Sequence, residues 1–343
     1  MFYLPRSTPS TPAAYNQVGA GPDRRWWRPL LGLALGVGLF VVSSILVALV
    51  AALANPNMLS SLAIDDINLT NPPEMIYLMA SLIILIPCVI VATIVGLRVR
   101  PGFLFSVAGR IRWRWLLTCV AICLVVQVPV IVGSAVLFED VAWHPAKTLV
   151  LSLVLALVLS PLQSAAEEVT FRGYLLQLVG AWIPNRVAAF VVATVLSAVV
   201  FSMAHGSLDP GVLATLAAMA AFNCYLTQRT GGLEAAIAQH AGNNTVIFTM
   251  EVFAGQTNSL IGEETTQAII PTLIAICVDL LIMVLILCAF KHSKLSARTD
   301  PSARPKPTLD YLYTRYQKGE FIDEFAHLYP PQVPDKAANH WQV

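Results

Sequence analysis

The chain has 343 residues, of which 57% are hydrophobic and only 12% charged, with a net charge of +1. Soluble domains carry about 25% charged residues, so this composition excludes an ordinary soluble domain and describes a polytopic membrane protein. The near-balanced charge gives no sign of a nucleic-acid partner.

Six cysteines, at 88, 119, 123, 224, 277 and 288, all lie in apolar runs and none forms a CxxC. They read as small apolar packing residues, not as a disulfide framework or a metal site. The first residues, MFYLPRSTPSTPAAYNQVGAGP, are polar and rich in Pro and Ser. They lack the layout of a cleavable signal peptide, and residues 1–28 read as a disordered tail.

Apolar segments follow at about 30–54, 75–97, 115–138, 147–180, 187–205, 211–227, 233–254 and 268–290. Most have the length of about 20 residues that spans a bilayer. The expected fold is therefore all-α, with about eight transmembrane helices, the fourth long enough to tilt or break. Residues 29–146 supply the N-terminal helices and 147–290 the remaining ones. Residues 291–343 form a polar tail in which LDYLYTRYQKGEFIDEFAHL has apolar residues at helical spacing around one glycine. That stretch resembles a short helical hairpin, with a loosely ordered tail as the alternative.

The basic residues set the orientation. Arg6, Arg24, Arg25 and Arg28 precede the first span, Arg98, Arg100, Arg110, Arg112 and Arg114 join the second to the third, and Lys291, Lys294 and Arg298 follow the last. The alternate connections hold Asp65, Asp66, Glu139, Asp140, Glu263 and Glu264, with Lys147 as their only basic residue. Both termini are expected in the cytoplasm of a cell whose cytoplasmic membrane the chain crosses several times. Trp26, Trp27, Trp113 and Trp115 lie among the arginines, as interfacial anchors do.

Charges inside the apolar segments cost several kcal/mol unless paired or hydrated, by about the figures for a bilayer centre. In the fourth segment Glu168 and Arg172 are four apart and share a helix face, so they can pair. Glu167 is turned about 100° away and is left facing elsewhere. A carboxylate so placed tends to have a raised pKa, which suits a general base. A hydrated interface is the alternative, but YLLQLVGAWI continues the apolar character.

In the fifth segment Phe201 and His205 share a face, and taken alone His205 reads as a packing residue. In the seventh, His240 and Asn244 share a face while Asn243 points away and reads as interhelical glue. Asn223, Gln127 and Asp279 are isolated polar residues that read as packing or as partners within a cavity.

EEVTFR fits EExxxR, FSMAH fits FxxxH and HAGNN fits HxxxN. In this order, on three apolar segments, the motifs resemble the CAAX prenyl protease and bacteriocin-processing family of intramembrane proteases, also called CPBP or Abi. The resemblance covers residues 147 to about 254 and neither tail. It implies an intramembrane endopeptidase with its catalytic core in 147–290. Carried over by motif position, Glu167 and His205 activate a water, His240 and Asn244 stabilise the oxyanion, Glu168 and Arg172 are a supporting pair, and Phe201 packs beside His205. Amide hydrolysis in a membrane needs such a base and such donors.

The resemblance leaves the metal open. Glu167, His205 and His240 could hold a divalent ion such as zinc with a position free for water, or the same residues could activate water without one. The expected partners are the lipid bilayer and a membrane-bound or lipidated peptide or protein; nothing in the sequence demands a prenyl group. The competing reading is a non-catalytic membrane chaperone, immunity factor or scaffold. A transporter relaying protons through Glu167, Glu168 and Asp279 lacks an internal repeat.

Depth poses a problem. Glu168 precedes Pro184 by 16 residues, about 24 Å at helical rise, and His205 follows it by 21, about 32 Å. His240 is nine residues past Gly231, about 14 Å. Tilted helices, a break in the fourth segment or unequal turn heights must close that gap.

Overall fold

The computed structural model describes residues 11–20, 25–54, 68, 70–138, 148–254 and 269–300. The expected C-terminal hairpin and the acidic residues at 65–66, 139–140 and 263–264 lie outside the described residues. The helices are α1 (Trp27–Ala54), α2 (Pro72–Ile83), α3 (Leu85–Ala92), α4 (Gly102–Phe105), α5 (Trp113–Phe138), α6 (Leu149–Glu168), α7 (Leu175–Trp182), α8 (Arg186–Met203), α9 (Pro210–Thr230), α10 (Glu234–Ala254) and α11 (Ile269–His292). The fold is all-α and polytopic, as the apolar segments predict.

Among the described residues, seven helices are long and apolar enough to cross a membrane: Trp27–Ala54, Pro72–Leu97, Trp113–Ser134, Leu149–Trp182, Arg186–Met203, Pro210–Thr230 and Ile269–His292. The apolar segments of the sequence number eight. The remaining helix, α10, is not among the seven, because QHAGNN interrupts its apolar run. It packs chiefly on α6 and α5. Its Ala235, Ala236, Ala238, Gln239 and His240 are all buried. Small residues allow this close approach. A Cβ on Gly242 would collide with the amide oxygen of Gln127, whose Nε2 donates to Gln239 O at 2.9 Å.

The fourth span runs unbroken from Leu149 to Trp182 but changes winding at Val169–Tyr174, a π-helical stretch directly after Glu168. Leu175 N–H there donates to Thr170 O, an i to i−5 bond. Such insertions re-aim side chains and occur mostly as single turns near functional sites. The long fourth segment therefore changes winding without breaking.

A contact at the start of α10 relates the depth of His240 to that of Glu168. Leu233 Cδ1 lies 3.3 Å from where a Cβ on Gly173 would stand. Leu233 N donates to Phe105 O and Val107 N to Gly231 O, each at 2.8 Å. The turn into α10 is thus held against α4 and Gly173. From this contact Glu168 is five residues back, about 8 Å, and His240 seven forward, about 11 Å, at helical rise. Glu234 fixes that start: its carboxylate takes Arg112 Nε at 2.9 Å and Nη2 at 2.6 Å, a bidentate pair.

The notch beside α7 is filled from the N-terminal segment, where the structure differs from the expected disordered tail. Residues 11–20 are packed in place, with Tyr15 and Asn16 fully buried. The Tyr15 hydroxyl donates to Leu104 O. Asn16 Nδ2 donates to Arg186 O at 3.1 Å, and Gln228 Nε2 donates to Asn16 Oδ1 at 3.0 Å. A composition that reads as disordered is ordered here because its backbone and amides find partners on other segments of the chain.

Candidate active site

The π-helical stretch and the turn into α10 bring α6, α9 and α10 together at the motif residues. Glu167 is 7% exposed, His240 1%, and Glu168 and Arg172 are fully buried. Arg172 Nη1 lies 3.2 Å from Glu168 Oε1, which is the pairing that the spacing of four predicts. The same oxygen is 2.8 Å from His240 Nδ1 and accepts from Asn223 Nδ2 at 3.4 Å. A buried carboxylate is tolerated when positive and donor groups gather on it, and here a cation, an imidazole and an amide converge on one oxygen.

The second imidazole nitrogen faces the other glutamate: His240 Nε2 is 3.4 Å from Glu167 Oε2. That oxygen is buried and accepts no hydrogen bond among the described residues. The two glutamates therefore have the different environments that their angular offset predicts, one fixed by Arg172, His240 and Asn223, the other presenting an unpartnered oxygen beside an imidazole.

Asn244 extends the same stripe of α10. Its Nδ2 is 3.1 Å from His240 Nε2 and 3.3 Å from Gln163 Oε1. Asn243 does not point away, as the sequence suggested; its Nδ2 donates to Asn244 Oδ1 at 3.2 Å.

His205 follows the end of α8 and is exposed. Its Nδ1 donates to Phe201 O at 2.8 Å, which leaves Nε2 with a lone pair. It sits in the field of Glu167 and His240, but no hydrogen bond joins it to either among the described residues. Phe201 stands between: its ring is edge-on to His205 at 4.6 Å and to His240 at 5.7 Å, under the Arg172 guanidinium at 4.1 Å and against Phe171 at 5.4 Å. The cation lies over the negative face of the ring. The phenyl group expected only to pack beside His205 thus touches both histidines and the arginine.

The structure brings together Glu167, Glu168, Arg172, His240 and Asn244, and leaves His205 one aromatic ring away. Among the described residues no group of three or more His, Cys, Asp or Glu side chains is placed to hold a metal ion. Sequence reasoning missed Asn223, which reads as isolated, and Gln163, which no motif includes. Gln163 had a signal, since it lies four residues before Glu167 and shares its face.

Comparison with known proteins points to the same segment. Residues 146–246 match the family model described as type II CAAX prenyl endopeptidase, Rce1-like. An uncharacterized protein of Bacillus subtilis (strain 168), YyaK, is 26% identical over 246 residues, which are 69% of this chain and 80% of the relative. No solved structure matches the chain. The match supports a CAAX-type intramembrane protease in general, and the stretch from the start of α6 to the middle of α10, with all of the motif residues on it, is similar to the Rce1-like family of type II CAAX prenyl endopeptidases.

Proposed function

We propose that this protein is an intramembrane endopeptidase that hydrolyses a peptide bond of a membrane-associated or lipidated substrate. The observation that carries the reading is the unpartnered Glu167 oxygen beside His240, an imidazole held from its far side by Glu168. A base oriented by a third group is the arrangement that acyl-transfer chemistry uses.

Glu167, with His205 across the Phe201 ring, takes a proton from a water as its oxygen adds to the substrate carbonyl carbon. The oxyanion accepts from the Asn244 amide and from His240, whose Nε2 gains the abstracted proton across the 3.4 Å that separate it from Glu167. Glu168 opposite Nδ1 stabilises the resulting imidazolium. Returning that proton to the departing nitrogen as the C–N bond breaks completes the hydrolysis. The low dielectric of a membrane cavity strengthens each of these electrostatic interactions.

The protein acts in the cytoplasmic membrane with both termini in the cytoplasm, a placement supported by the arginines flanking the first three spans. Protein termini are compared in membranes of cells carrying wild type or Glu167→Ala. Termini found only with wild type establish proteolysis and name candidate substrates. Identical termini, with the variant fully functional, transfer the assignment to a non-catalytic chaperone, immunity or scaffold protein.

A further inference from the structure

The Asn244 amide has two faces of nearly the same shape, one a carbonyl and one an amine, and only its partners decide which faces the site. His240 decides it. The Glu168 carboxylate can only accept, so His240 Nδ1, 2.8 Å from Glu168 Oε1, carries the ring proton, and Nε2 of the neutral ring presents its lone pair to Asn244 at 3.1 Å. Asn244 therefore turns Nδ2 to His240, and the neighbouring amides follow: Gln163 Oε1 accepts from that nitrogen at 3.3 Å, and Asn243 Nδ2 donates to Asn244 Oδ1 at 3.2 Å.

Gln163 keeps this orientation: a flipped Asn244 would set its carbonyl against the Gln163 carbonyl and against the Nε2 lone pair. In neutral imidazole the hydrogen bond on one nitrogen fixes the state of the other. The chain runs in one direction: Ser164 to Gln163, Asn244 to both Gln163 and His240, and His240 to Glu168.

We infer that Gln163 is a positioning residue of this site: by holding the Asn244 amide it keeps donors rather than a carbonyl towards the cavity, and it keeps an N–H on the His240 Nε2 lone pair beside Glu167. The inference deepens the hydrolase reading, because a flipped Asn244 would place a carbonyl where the oxyanion forms. Its geometry also stands without that reading. Gln163 is suited to hold the amide because it is 5% exposed, sits one turn before Glu167 on α6, and accepts the hydrogen bond without bringing a charge into the site.

The test is read without substrate. Full-length protein labelled with 15N-histidine is placed in lipid nanodiscs, and the His240 signals are assigned by their loss in His240→Gln. Wild type is expected to show a protonated Nδ1 and an unprotonated Nε2. Gln163→Leu, which removes the acceptor and keeps the bulk, is expected to shift the Nε2 signal while Nδ1 stays protonated. Gln163→Met, also without an acceptor, is expected to give the same shift. Wild-type His240 as the Nε2–H tautomer overturns the inference, as does an unchanged Nε2 signal in Gln163→Leu. Where Gln163→Leu does not fold, the Gln163→Met signal decides. Failure here leaves the comparison of termini untouched, and equal termini in Glu167→Ala leave the tautomer result standing, so the two ideas fail separately.

Discussion

His240 Nδ1 lies 2.8 Å from Glu168 Oε1, so the glutamate that the sequence assigned to Arg172 also holds the imidazole. Glu168 is fully buried, and breaking a buried pair by removing one partner costs about 3–5 kcal/mol, because the other charge is left uncompensated. Glu168→Ala is expected to lower thermal stability in detergent by that amount. Arg172→Met in the same background is expected to recover part of the loss, since it removes the orphaned cation. A double-mutant cycle reads the coupling; additive losses would mean that the pair is not a unit.

Glu167 contrasts with its neighbour. Its Oε2 accepts no hydrogen bond among the described residues, so neutralising the carboxylate removes no bond from that oxygen. Glu167→Gln is expected to unfold within about 1 kcal/mol of wild type, the range of a change that breaks no named interaction. Cleavage, once a substrate is in hand, is expected to fall by about 10²–10⁴, the usual contribution of a general base. Full activity in a folded Glu167→Gln would remove this residue from the chemistry.

What could be read from the sequence was whatever helical spacing alone dictates. Glu168 with Arg172 and His240 with Asn244 are pairs within one helix, and each is found as expected. What could not be read depends on contacts between helices. Asn223 looked isolated because its partner Glu168 is 55 residues away. The depth of His240 could not be reconciled with that of Glu168 because linear counting cannot see that Leu233 packs against Gly173. The packing of α10 was hidden for a related reason: an apolar segment interrupted by QHAGNN is stabilised by the helices around it, and composition cannot tell which neighbours it has. The tail failed in the opposite sense, since TPAAYNQVGA is polar and yet buries Tyr15 and Asn16 completely.

That segment gives a prediction of its own. A Cβ on Gly180 would collide with the backbone carbonyl of Asn16, and Gln17 Nε2 donates to Gly180 O at 3.4 Å. Backbone cannot yield as a side-chain end can, so Gly180→Val is expected to expel residues 11–20 while α7 stays helical. Limited proteolysis checks this: new cleavage between residues 11 and 20 in the variant, with wild type protected, is the expected result. Equal protection would mean that the segment docks elsewhere.

The turn that sets the depth of His240 depends on Arg112. Its Nε and backbone N–H both lie 2.9 Å from Glu234 Oε1, its Nη2 is 2.6 Å from Oε2, and its Nη1 donates to Thr230 O at 2.9 Å. The guanidinium thus ties the end of α9 and the start of α10 to the approach to α5. Arg112→Ala leaves Glu234, 1% exposed, without its cation, and is expected to cost about 3–5 kcal/mol. Lysine restores the charge but offers a point donor in place of a planar fork. Arg112→Lys is therefore expected to fall between alanine and wild type in thermal unfolding. Because α10 carries His240 and Asn244 six and ten residues past Glu234, the lysine variant is also expected to lose more activity than stability, since a shift of about 1 Å at a reacting group can cost about 10²-fold. Activity that falls only in step with the folded fraction would show that Arg112 stabilises the fold without placing the site.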